Sequence, residues 1–150
     1  GAFPVRRGQN DQAAIDTAVE LARAGGLIAM FPEGTRSRTQ TLMKAKTGAA
    51  RIALAAGVSI VPAAVVGAPA VMKRRTWRRP LVTVRFGTPI PWTGSSDDPQ
   101  SVRRYIDTVM VAIAEMLPVE QRGVYANGVP VWEEGANGNG STVASADERR

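Results

Sequence analysis

Apolar residues recur along this chain with two different periods, and the switches between them mark out the elements. Ala2-Phe3-Pro4-Val5 reads as a short extended piece that ends in Arg6-Arg7-Gly8. Asn10-Asp11 can then cap a helix in which Ala14, Ile15, Ala18, Leu21 and Ala22 recur at three and four residues, and Gly25-Gly26 ends it. The apolar run Leu27-Ile28-Ala29-Met30-Phe31 predicts a short buried strand, so the first thirty residues read as strand, helix, strand, the pattern of a right-handed parallel crossover. An Ala-rich helix over 49–56 follows with Gly57 as its stop, then a buried strand over 58–66 and, later, a strand over 81–86. Asp98-Pro99, in the favoured order of N-cap and first helical position, opens a long helix. Its apolar stripe is Val102, Tyr105, Ile106, Val109, Met110, Ile113, Met116 and Leu117. Residues 124–150 lack any period and read as a flexible Gly/Asn/Ser-rich tail. The fold class expected is α/β: a mixed, largely parallel sheet flanked by helices, with a long C-terminal helix and a disordered tail. The 21 positions from Ile52 to Met72 carry no charge, but Gly57, Pro62, Gly67 and Pro69 divide them, so they are expected to form soluble elements rather than a membrane span.

Composition narrows the chemistry. With 150 residues and 44% apolar content, one domain with a proper core is expected. There is no cysteine and no histidine, which removes disulfides, the commonest metal ligands, the usual general base near neutral pH and every Ser-His or Cys-His nucleophile. No metal site and no catalytic residue is expected in this chain, and any catalysis by it alone would need Asp, Glu, Lys or Tyr. The charge is uneven: residues 1–123 hold 17 Lys/Arg against 9 Asp/Glu, a net +8 that favours a polyanionic partner or an anionic membrane surface.

Three stretches carry that charge into candidate sites. Phe31-Pro32-Glu33-Gly34-Thr35-Arg36-Ser37-Arg38 follows the predicted strand over 27–31, where Pro32 and Gly34 turn the chain away from the sheet. Ligands of open α/β sheets sit at such strand ends, and a guanidinium fork suits phosphate or carboxylate, so Arg36 reads as an anion binder; a solvated Glu33/Arg36 pair is the alternative. Lys44-Ala45-Lys46-Thr47-Gly48 places two lysines before a helix start, which itself favours anions; the alternative is a solvated loop. Lys73-Arg74-Arg75-Thr76-Trp77-Arg78-Arg79 sets a tryptophan among five cations and suits anionic head groups or nucleic acid, or else a solvated loop.

Together these residues carry a family resemblance. Phe31-Pro32-Glu33-Gly34-Thr35-Arg36-Ser37 is similar, almost letter for letter, to the third motif of the phospholipid/glycerol acyltransferases, the family of the 1-acyl-glycerol-3-phosphate (lysophosphatidic acid) acyltransferases. Residues 1–7, ending in Arg7, resemble its second motif, Lys46-Thr47-Gly48-Ala49 its Lys-x-Gly-Ala segment, Val61-Pro62-Ala63 its fourth motif, and Phe86-Gly87-Thr88-Pro89-Ile90 its closing strand. The first motif, Asn-His, four residues, then Asp, is absent, and residues 1–123 are expected to be the C-terminal portion of an acyltransferase domain whose start lies upstream. The resemblance implies transfer of a fatty acyl group from acyl-CoA or acyl-carrier protein, a co-substrate rather than a cofactor, to a lysophospholipid or glycerol phosphate. It implies that Arg7 and Arg36 hold the acceptor phosphate, that Gly34 lets the backbone come close, and that Glu33, Thr35, Ser37 and Lys46 complete the substrate site. Arg74, Arg75, Trp77, Arg78 and Arg79 would rest on an anionic membrane, at its cytoplasmic face, with no nucleic acid expected. The competing reading is a non-catalytic basic module that binds anionic membrane or nucleic acid. The loop after the third motif often contains Gly in the family, and Thr39-Gln40 depart from that.

Overall fold

The computed structural model describes residues 12–68 and 81–132. Helix α1 (Gln12–Arg23) ends where Gly25 takes φ +80° and the Gly26 amide donates back to the Leu21 carbonyl. Helix α2 (Gly48–Ala56) stops at Gly57, whose left-handed backbone lets its amide reach the Ala53 and Leu54 carbonyls. The two helices pack through Ala18, Val19 and Ile52, with Ile15, Ile28, Ala55 and Ala56 at the margin. The Arg23 guanidinium also donates to the Ala55 carbonyl at 2.6 Å.

Strands β1 (Ala63–Val66) and β2 (Thr83–Phe86) form an antiparallel pair in which Ala63 faces Phe86 and Val65 faces Val84. An isolated antiparallel bridge between Ile60 and Ile90 extends the pairing towards helix α3 (Pro99–Glu115). Asp98 caps α3 by accepting from the Ser101 hydroxyl and from the amides of Gln100 and Ser101, and these contacts, the hydroxyl first, hold its carboxyl below the usual range. The apolar stripe read from the sequence is the floor of the main core: Val102, Tyr105, Ile106, Val109, Met110, Ile113 and Leu117 are buried there with Ala50, Ala53, Leu54 and Ala64. Two single-turn 3-10 helices, Val119–Gln121 and Gly123–Tyr125, follow α3.

Three expectations need correction. The strand pairing seen among the described residues is antiparallel, not parallel. The run over 27–31 joins no ladder among the described residues: Leu27 is 99% exposed and Phe31 85%, and Ile28 turns towards the α1/α2 cluster. An apolar run becomes a strand only when its amides and carbonyls find a lateral partner, and β1 pairs with β2 instead. Finally, residues 124–132 are not tail. Tyr125 is among the most completely buried large side chains, and Trp132 packs against the same core. Residues 133–150 lie outside the described residues.

Candidate active site: the turn at Gly34

The chain leaves the α1/α2 cluster and turns over Phe31-Pro32-Glu33-Gly34, closed by the Gly34 amide donating to the Phe31 carbonyl at 3.0 Å. The backbone at Gly34 favours a glycine, and the Lys46 stem fills the space beside it. The φ of Gly34 is +67°, and a Cβ there would stand 2.9 Å from Cδ and 3.1 Å from Cε of Lys46. The stem of Lys46 therefore lies across the backbone of the turn, with its Nζ 3.4 Å from the same point. Main-chain pairing holds the two pieces together, since the Lys46 amide donates to the Pro32 carbonyl at 2.8 Å. Thr35 and Arg36 follow on the exposed side, and among the described residues Arg36 forms no ion pair.

Glu33 points the other way. Its half-buried carboxylate accepts from the Met43 amide at 3.0 Å, and burial raises its pKa above the ordinary value although that hydrogen bond opposes the rise. Glu33 thus ties the turn to the segment 42–46. Past the turn, Ser37, Thr39 and Thr41 share a chain of hydroxyl contacts at 3.1 and 2.8 Å, and the Ser37 hydroxyl accepts from the Thr41 amide. Gln40 sits at φ +60°, the conformation that glycine adopts most readily, at one of the two positions where this loop departs from the family pattern.

Comparison with known proteins places this geometry. A family model described as Acyltransferase matches residues 1–66, which contain the turn and the Lys46 segment. The 1-acyl-sn-glycerol-3-phosphate acyltransferase of Cocos nucifera is 32% identical over 127 residues, covering 79% of this chain and 40% of that protein. The enzyme of the same name from Escherichia coli K12 is 60% identical over 38 residues, covering 25% of this chain and 16% of that protein. By these matches the chain is similar to the 1-acyl-sn-glycerol-3-phosphate acyltransferases. It spans about two fifths of the length of the plant relatives that it matches, at 40% and 42%. In fold it is similar to the crystal structure of the 1-acyl-sn-glycerophosphate (LPA) acyltransferase PlsC from Thermotoga maritima, with a TM-score of 0.51 and 23% identity over 69% of this chain and 42% of that one.

Of the acyltransferase residues expected from the sequence, the structure brings Glu33, Gly34, Thr35, Arg36, Ser37 and Lys46 into one continuous turn and its neighbouring segment. Arg7 lies outside the described residues, as do Arg74, Arg75, Trp77, Arg78 and Arg79. No helix among the described residues is long and apolar enough to cross a membrane. The sequence reading missed the residues that hold the segment 42–46 from behind: Arg103, Asp107, Tyr125 and Trp132. An Arg and an Asp four apart on a helix look like an ordinary surface pair. The usable signal was the two aromatics, Tyr125 and Trp132, in a stretch otherwise rich in Gly, Asn and Pro.

The raised pKa of Glu33 yields a stability prediction. A carboxyl whose folded-state pKa lies above its unfolded value favours folding when protonated, and that contribution is lost as pH rises through the folded pKa. Glu33→Gln keeps an oxygen to accept from Met43 and carries no charge to bury. Thermal unfolding at pH 7 should show the variant at least as stable as the parent, with any excess vanishing well below pH 4.5, where both side chains are neutral. A large loss of stability at pH 7 would mean that the ionised form is the one the fold needs.

Proposed function

We propose that this chain supplies the acceptor-phosphate site of an enzyme that transfers a fatty acyl group from acyl-CoA or acyl-carrier protein to 1-acyl-glycerol 3-phosphate or a closely related glycerol phosphate. The observation that carries the reading is the placement of Lys46 across the Gly34 turn, two residues before an exposed Arg36 that forms no ion pair among the described residues. Anion sites need this combination: close backbone approach, a point charge and a planar fork that can meet phosphate with two parallel hydrogen bonds. The names of the Cocos nucifera and Escherichia coli relatives, each a 1-acyl-sn-glycerol-3-phosphate acyltransferase, supply the acceptor class. In the reaction, the free hydroxyl of the acceptor attacks the thioester carbonyl, a C–O bond forms, the C–S bond breaks, and the hydroxyl proton passes through a base to the departing thiol. The sequence contains no histidine, so that base comes from a segment carrying the family's Asn-His-x4-Asp motif; this chain's part is to hold and neutralise the phosphate. Arg7 joins Arg36 in that role, and Glu33 positions the turn.

The test is Arg36→Lys in the complete enzyme, this chain joined to a segment bearing the Asn-His-x4-Asp motif. Lysine keeps the charge and loses the fork, so the KM for acceptor should rise roughly ten- to a hundredfold, the equivalent of about 1.5–3 kcal/mol, with the KM for acyl donor much less affected. Arg38→Lys, outside the shared motif, should change little. Equal effects from both, or an effect confined to the donor, would displace the phosphate from this turn.

The basic run 73–79 joins β1 to β2 in sequence, and we assign it to an anionic membrane at the cytoplasmic face, where Trp77 suits the interface and each cation near the surface contributes about 1 kcal/mol. Replacing Arg74, Arg75, Arg78 and Arg79 by Ala should abolish flotation of the chain with phosphatidylserine liposomes. Stronger retention of the parent chain by duplex DNA than by those liposomes at physiological salt would reverse the assignment.

A further inference from the structure

We infer that Tyr125 and Arg103 are positioning residues for the acceptor site, acting through the backbone of the segment 42–46. The inference rests on the phosphate reading above and goes beyond it to a part of the chain outside the motifs. Lys46 can lie across the Gly34 turn only while its own backbone is held still, and the structure shows two sets of ties on that backbone. On the motif side are the hydrogen bonds from the Lys46 amide to the Pro32 carbonyl and from the Met43 amide to Glu33. On the opposite side, the Tyr125 hydroxyl accepts from the Ala45 amide at 3.1 Å, and Arg103 donates to the Ala45 carbonyl at 2.7 Å. One residue before Lys46, then, both main-chain polar groups end on side chains from the C-terminal third of the chain.

Those two side chains are themselves fixed by a buried carboxylate. Asp107, 2% exposed, accepts from the Tyr125 hydroxyl at 3.0 Å, from the Trp132 indole at 2.9 Å and from Arg103 through both Nε and Nη2. Trp132 closes the assembly, edge-on to Tyr125 and beneath the Lys44 ammonium, 4.3 Å from the ring centre. A second tie lies three residues earlier, where the Leu42 amide donates to the Gln121 carbonyl and its carbonyl accepts from the Val124 amide. Gly123, at φ +53°, is required there because a Cβ would collide with the Leu42 carbonyl. A shift of this backbone carries the Lys46 ammonium with it and lengthens and weakens its hydrogen bond to a phosphate, so the C-terminal segment sets acceptor affinity without touching acceptor.

The experiment is steady-state kinetics of the complete enzyme carrying Tyr125→Phe or Arg103→Lys. Phenylalanine keeps the ring and removes the hydroxyl; lysine can keep a charge pair with Asp107 but gives up the fork that reaches the Ala45 carbonyl at the same time. Each should raise the KM for 1-acyl-glycerol 3-phosphate about three- to tenfold, with kcat and the KM for acyl-CoA within about twofold of the parent. Val19→Ala, in the separate α1/α2 cluster, serves as a control for lost stability alone and should leave all three constants unchanged. An unchanged acceptor KM in both variants, with Arg36→Lys still raising it, overturns the positioning role and leaves the phosphate site standing. The same result follows if both variants lower kcat and weaken both substrates alike. An acceptor KM that Arg36→Lys does not move removes the phosphate site and this inference with it.

Discussion

The interaction on which the rest of this structure depends is the burial of the Asp107 carboxylate against four donors. A lone carboxylate taken out of water costs several kcal/mol, and that cost is offset only when its lone pairs are filled. Arg103, Tyr125 and Trp132 fill them, and each brings a different part of the chain: a turn of α3, the 3-10 turn after it, and the segment that follows. Burial also pushes the Tyr125 hydroxyl up to about 12, so it remains a protonated donor to Asp107 through the physiological range. The result is a rigid polar knot at the edge of an apolar core, and the segment 42–46 is fastened to it.

That segment lies between structure and chemistry. Its back is bound to the knot, and its front carries Lys46 over the Gly34 turn. Glu33 completes the link from the motif side by accepting from the Met43 main-chain amide. Lys46 lies across a backbone whose positive φ favours glycine, and the exposed Arg36 follows two residues later.

Much of this was legible in the sequence where the signal is local. Caps and stops such as Asp98-Pro99 and Gly57 fix helix ends through their own backbone chemistry, and the stripe from Val102 to Leu117 identified the core face of α3. The motif around Phe31 located the turn and its cations. Features that depend on partners distant in the sequence were not legible. The apolar runs around β1 and β2 say that each is a strand but not that they run antiparallel, and the apolar run over 27–31 says nothing of whether a lateral partner is present. The knot was hidden for the same reason. Ala45, Arg103, Asp107, Tyr125 and Trp132 are scattered over almost ninety residues, and each polar member, taken alone, resembles a surface residue.

The claim at the centre of this account is that the Gly34 turn and Lys46 together bind a glycerol-linked phosphate. The most direct measurement is a titration of the isotopically labelled chain with sn-glycerol 3-phosphate, followed through backbone amide resonances. The account predicts that the amides of Gly34, Thr35, Arg36 and Lys46 shift together along a single saturating curve, and that Arg36→Lys weakens that curve. Shifts confined to the basic run 73–79, or amides at the turn that do not respond while others saturate, would contradict it.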